Sequence, residues 1–206
     1  IELGRQEEGV AKLRQAVEKN PSIENLHWLA VGVEDLFERL TICNRILAKD
    51  PRDVRAWVGK GSVLSEYRRW SEAEDCFRKV LELAPEDASA RSWLGDALAN
   101  QEDYPAAIEV LKEAIRLGEG DRPWTWECLA YGYFCLGDFD EARTALLQAL
   151  SLDPHLEYAR DLLNEIDGRK SLGIEYYEEW DEEGAAPYLK VEAQREHPPG
   201  KASLYF

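Results

Sequence analysis

Small and apolar residues return along this chain at a fixed interval, and the polar positions between them keep step. Ala73, with Phe77 and Val80 on the same helical face and Pro85 beyond, is followed 34 residues on by Ala107 with Leu111 and Ala114. The set recurs 35 residues further as Ala142, Leu146, Ala149 and Pro154. Offsets of four and seven place such residues on one side of a helix. Ahead of each set lies a second periodic stretch: Trp57 with Gly61, Leu94 with Gly95, and Trp126 with Leu129, Ala130 and Tyr133. A period of this length predicts a stack of helical hairpins.

The pattern has a physical reading. Small residues such as Gly61 and Ala73 belong where two helices come closest, leaving room for Trp57 or Phe77 beside them. Proline cannot continue a helix, so Asp50-Pro51, Ala84-Pro85 and Asp153-Pro154 mark where one hairpin ends and the next begins. A single hairpin cannot bury its apolar face alone, whereas a stack does so collectively. Replacing Ala73 or Ala107 with Phe should therefore overpack a crossing, at a cost of about 1–3 kcal/mol.

The copy at 123–156 carries Trp126-x2-Leu129-Ala130-x2-Tyr133, then Ala142-x3-Leu146-x2-Ala149, then Pro154. These residues resemble the tetratricopeptide repeat, Trp-x2-Leu-Gly-x2-Tyr followed by Ala-x3-Phe-x2-Ala and Pro, with departures at Ala130 and Leu146. The copy at 54–87 keeps Trp57, Gly61, Ala73, Phe77 and Pro85, with Leu64 where Tyr is usual; the copy at 88–122 ends in Gly118-Glu119-Gly120 instead of the proline. The resemblance implies an all-α solenoid, a right-handed superhelix of antiparallel hairpins with a concave groove.

Around residues 54–154 the pattern loosens. Gly9, Leu13, Ala16 and Pro21 have second-helix spacing, so residues 1–53 are expected to be degenerate repeats that start mid-repeat, including a shortened unit at 23–51. The absence of Met and the initial Ile fit a chain cut from something longer or processed. Residues 155–168 predict a capping helix on Tyr158, Ala159, Leu162, Leu163 and Ile166. Beyond it, Gly173-x2-Tyr176 and Ala185-x3-Leu189 restore the repeat spacing, so 169–206 reads as a displaced helical hairpin or as a docked tail rich in acids and aromatics.

Charge narrows the partners. Forty-one acidic against 25 basic residues leave a net charge of −16, which opposes a phosphate backbone and so argues against nucleic acid. No apolar run approaches the ~18 residues that cross a bilayer, and the first residues lack the order of a signal peptide. Cys43, Cys76, Cys128 and Cys135 form no C-x-x-C pair and sit within apolar helical patterns, which reads as buried thiols in a reducing, cytoplasmic setting. The chain lacks phosphate-loop, dinucleotide and nucleophile-elbow motifs, and His27, His155 and His197 lack metal-ligand spacing. The expectation is a binding protein without catalysis, metal or cofactor.

In repeats of this family the first helix of each hairpin lines the groove. Carried over by position, the resemblance points to Arg55, Val58, Ser62 and Glu66, then Ser89, Ser92, Asp96 and Asn100, then Trp124, Glu127, Tyr131 and Phe134. The aromatic members suit a binding hot spot, or else they pack on the next helix or the tail. Where the chaperone-binding branch of the family clamps a carboxylate, this chain has Ser89, Trp93, Trp124 and Cys128, none of them cationic. With Arg55 the one base in the set and Glu66, Asp96 and Glu127 acidic, the groove is expected to favour an apolar or basic protein segment. Ser89→Ala on such a groove should cost under about 0.5 kcal/mol. Self-association and a regulatory part of a larger, enzymatic chain are the alternative roles.

Overall fold

The computed structural model describes the backbone of residues 2–171, 174–179 and 188–193, and side chains from 8 to 168. Ten α-helices follow one another in this part of the chain: α1 (Glu2–Lys19), α2 (Ile23–Gly32), α3 (Leu36–Lys49), α4 (Val54–Glu66), α5 (Trp70–Leu83), α6 (Ala88–Ala99), α7 (Tyr104–Arg116), α8 (Pro123–Leu136), α9 (Phe139–Leu152) and α10 (Glu157–Ser171). Each packs on the next, so the array is an all-α solenoid. Four hairpins pair α2 with α3, α4 with α5, α6 with α7 and α8 with α9, with α1 against α2 at one end and α10 against α9 at the other.

The sequence period is also a backbone period. At each of three hairpin turns the chain reverses through one residue in the left-handed region: Arg68 (φ 57°), Glu102 (φ 65°) and Gly137 (φ 82°). The next N–H then closes the same bond back onto the first helix, Arg69 to Leu64 O at 2.9 Å, Asp103 to Leu98 O at 3.0 Å and Asp138 to Tyr133 O at 3.0 Å. Helix starts are fixed by aspartates, whose carboxylates accept from the N–H three residues on: Asp35 from Glu38, Asp53 from Ala56, Asp87 from Ala90 and Asp103 from Ala106. Trp57 and Trp126 tie first helices to the preceding linkers, their indole N–H groups donating to Pro51 O at 2.9 Å and Gly120 O at 2.8 Å. That is why the pattern places Trp there rather than another large apolar residue.

The small residues sit at the crossings. Gly61 faces the Phe77 ring and Gly95 faces Leu111, each across its own hairpin, and Gly132 faces Ile108 of the preceding hairpin. The core is continuous from Leu64 through Phe77, Leu94, Leu111, Leu129 and Leu146 to Ile166. A second cluster on Leu26, Leu29, Ile42 and Ile46 fills the N-terminal hairpin and reaches Ala56 on α4. Where the repeat lacks its proline, Gly118 (φ 124°) leads into a single 3-10 turn, Glu119–Asp121, and the Glu119 side chain is buried.

After α10 the described backbone is extended. β1 (Ile174–Glu179) and β2 (Tyr188–Ala193) pair antiparallel, with Ile174 opposite Ala193 and Glu179 opposite Tyr188. This replaces the helical hairpin expected for 169–206, whose Gly173-to-Ala185 spacing matched the repeat without its chemistry. Tyr176, Tyr177, Tyr188 and Val191 favour strands over helices. Most of 170–206 lies outside the described residues, and with it the expected docking of that stretch on the array.

Candidate functional site: the inner face of the stack

Two rows of helices run along the solenoid, and one row is the tighter. Successive first helices meet, α4 with α6 and α6 with α8, whereas α5 and α7, or α7 and α9, do not approach comparably. The first helices therefore lie on the inner radius, and their free sides form the inner face.

At its N-terminal end this face opens into a cavity of about 290 Å³ between α2 and α4, with α3 as its floor. Val31, Arg39, Arg55 and Ser62 are among the residues that line it, together with His27. The wall is set by one aspartate: Asp53 caps α4 through Oδ1, 2.8 Å from the Ala56 N–H, while its Oδ2 lies 2.8 Å from His27 Nε2 on α2. Arg39 crosses from α3, donating Nη2 to Val33 O at 2.9 Å and holding Nη1 3.7 Å from Glu66. Its buried Nε has no acceptor among the described residues. Val31 is 71% exposed at the lip.

The C-terminal end is aromatic. Trp124, Tyr131 and Tyr158 on α8 and α10 are 38%, 36% and 50% exposed. Tyr131 meets Tyr104 edge to face, centroids 6.2 Å apart, with Cys135 beside them. Burial raises the Tyr104 hydroxyl, and Cys135 raises that of Tyr131. Tyr158 is pushed up to about 12, by burial first and then by Tyr131 and Cys135 beside it. All three phenols therefore stay neutral through the physiological range and act as aromatic surface with a hydrogen-bonding tip.

The twelve positions read from the sequence divide by what else holds them. Arg55 and Ser62 line the N-terminal cavity; Val58 beside them is half-buried; Glu66 is exposed but faces Arg39. Ser92 is not on the groove: it is 1% exposed, with its hydroxyl 3.2 Å from that of Thr125. Phe134 turns toward the hairpin, its ring 5.6 Å from Phe139. Asn100 donates Nδ2 to Asp96 Oδ1 at 3.1 Å, and burial raises the Asp96 carboxyl. Burial likewise raises the Glu127 carboxyl, opposed by the backbone of Ala159 at the start of α10. Trp124 and Tyr131 remain open to solvent. Val31, Arg39 and Tyr158 were not in the set, because the positional rule covers only the first helices of clear repeats.

Ser89 needs a larger correction. Its hydroxyl donates to Glu119 Oε1 at 2.7 Å, and Glu119, 6% exposed, also faces Arg122 at 3.2 Å. Removing the hydroxyl leaves a buried carboxylate oxygen short of a donor. Ser89→Ala should thus cost about 1–2 kcal/mol, not under 0.5. Chemical denaturation of the variant measures it, and a loss within error of zero returns Ser89 to the open groove.

A second cavity, about 380 Å³ and more open, lies on the other side, between α7 and α9 over Trp126, Leu129 and Tyr133 of α8. The Lys112 ammonium already rests 5.5 Å from the Tyr133 ring centroid there. Among the described residues no three His, Cys, Asp or Glu side chains gather as a metal site, and no helix is long and apolar enough to cross a membrane.

Known proteins carry the same architecture. Tetratricopeptide-repeat family models match residues 64–122 and 123–156. The general transcriptional corepressor ssn6 of Schizosaccharomyces pombe is 24% identical over 147 residues, covering 68% of this chain and 13% of that protein. The chain spans less than a quarter of the length of the curated relatives it matches. Among solved structures, MamA from Desulfovibrio magneticus RS-1 superposes with a TM-score of 0.66 at 21% identity, covering 76% of this chain and 90% of that one. The first TPR of Spaghetti (RPAP3), bound to HSP90 peptide SRMEEVD, superposes with a TM-score of 0.55 at 19% identity, covering 59% and 96%. By their period, their repeated hairpin geometry and these matches, residues 64–156 are tetratricopeptide repeats, set within a longer array of like helical hairpins.

Proposed function

We propose that the array is a protein-interaction module that holds an extended, apolar segment of another polypeptide along its inner face, with Trp124, Tyr131 and Tyr158 as the main contact. The observation that carries this reading is the exposure of three aromatic side chains, 38%, 36% and 50%, together at one end of the inner row. Rings of this kind give large contact area for few frozen rotors. The solved repeat that holds an HSP90 peptide supports a segment-binding role for a fold of this shape. The basic part of the expected preference is left out of this reading: Asp96 and Glu127 are half-buried, which leaves Glu66 as the one exposed acid of the three.

The test is selection of linear peptides from a random displayed library on the whole chain, followed by binding of the resynthesised winners. Trp124→Ala with Tyr131→Ala should weaken them by about 30-fold, roughly 2 kcal/mol, with the helical circular dichroism unchanged. Winners indifferent to that pair of changes defeat the groove reading. Concentration-dependent mass that the same variant abolishes replaces it with self-association.

A further inference from the structure

The inner face is not electrically uniform, and its N-terminal cavity runs against the charge of the whole. In a chain of net charge −16, that cavity has two guanidiniums on its wall. Arg55 is exposed, and no described residue forms a hydrogen bond or ion pair with it. Arg39 is incompletely satisfied, with Nε unpaired and Glu66 at 3.7 Å, looser than the fork of Arg14 on Glu38 at 2.6 and 3.0 Å. The nearby carboxylate of Asp53 is taken by His27 and the α4 cap. Ser62 adds a hydroxyl to the wall, and Val31 gives the lip an apolar patch.

We propose that this cavity seats a carboxylate side chain of the bound segment, an Asp or Glu whose methylene stem lies on Val31 while its oxygens reach Arg55, Ser62 and a re-aimed Arg39. The proposal rests on the groove reading above and gives the segment a direction. Guanidinium–carboxylate bonds in a partly enclosed site are the strong, geometrically selective class, which a half-satisfied arginine is placed to make. The acid seat lies at α2 and α4, and the aromatic shelf begins at α8. Two first-helix steps at about 8–10 Å each separate α4 from α8. That distance is about five or six extended residues at ~3.3 Å apiece. The segment therefore carries an acid about five or six residues from a large apolar residue, the acid over α4 and the apolar side chain over α8.

The selected peptides, resynthesised with amidated C-termini so that only side-chain carboxylates act, decide the matter. They should be enriched in Asp or Glu at that spacing. Replacing the acid by its amide should lower affinity about tenfold, and so should Arg55→Glu. The two changes together should cost no more than either alone, the mark of a direct contact. Arg55 is exposed and unpaired, so thermal midpoints should not move. Peptides that depend on Trp124 and Tyr131 but lack the acid, or ignore Arg55→Glu, overturn this inference and leave the groove reading standing. Binding that requires a free C-terminal carboxylate also overturns it. Peptides indifferent to both variants, or no peptides retained at all, sink both.

Discussion

Gly95→Ala is expected to destabilise the array by about 1–3 kcal/mol, although the same change in an open helix stabilises it. A Cβ at Gly95 would meet Leu111 Cγ at 2.5 Å and Cδ2 at 2.7 Å, and Leu111 is completely buried. Leucine there has no free volume to retreat into, since Leu94, Ala107 and Leu129 belong to the same cluster. Propensity favours Ala by about 1 kcal/mol, so the overlap must exceed that before any loss appears. Gly9 in α1 is the internal control: a Cβ there meets nothing within 4 Å, and Gly9→Ala should raise stability by about 0.5–1 kcal/mol. Urea midpoints followed by circular dichroism give the two signs. Because each repeat is stabilised by its own folding and its neighbours, hydrogen exchange should place the Gly95 loss in α6 and α7. If both alanines raise the midpoint, the helix crossing is looser than the packing shows.

The same residues explain how much the sequence disclosed. The period was legible because a crossing of two helices accepts only small side chains, so Gly61, Gly95, Ala73 and Ala107 recur where geometry demands them. The helix starts were equally open to reading, as Asp53, Asp87 and Asp103 do their capping within three residues. The inner face was less legible because long-range polar pairs decide which side chains remain free. Ser89 is held by Glu119 and Ser92 by Thr125, each thirty or more residues away. A positional rule sees none of these partners. It also passes over Arg39, which enters the cavity from a second helix, and Tyr158, which the sequence assigned only to a cap.

Asp53→Ala should be the costlier of the remaining changes, at about 2–4 kcal/mol, whereas Asp53→Asn should lose less than half as much. One carboxylate does two jobs, ending α4 through the Ala56 N–H and holding His27 of α2, both at 2.8 Å. Loss of the cap costs about 1 kcal/mol. Loss of the partner leaves the His27 ring nitrogen stranded, with the side chain only 11% exposed, for about 1–3 kcal/mol more. Asparagine still caps a helix, and its amide can face either tautomer of the imidazole, so most of both contacts survive. Hydrogen exchange should show the alanine loss in α2 and the first turn of α4 together, because the His27 bond is what joins them. Equal losses for the two variants would mean that charge, and not hydrogen-bond geometry, holds this junction. Since the same junction forms the cavity wall, Asp53→Ala should also weaken acid-bearing peptides, while Asp53→Asn leaves their binding within about twofold of the parent.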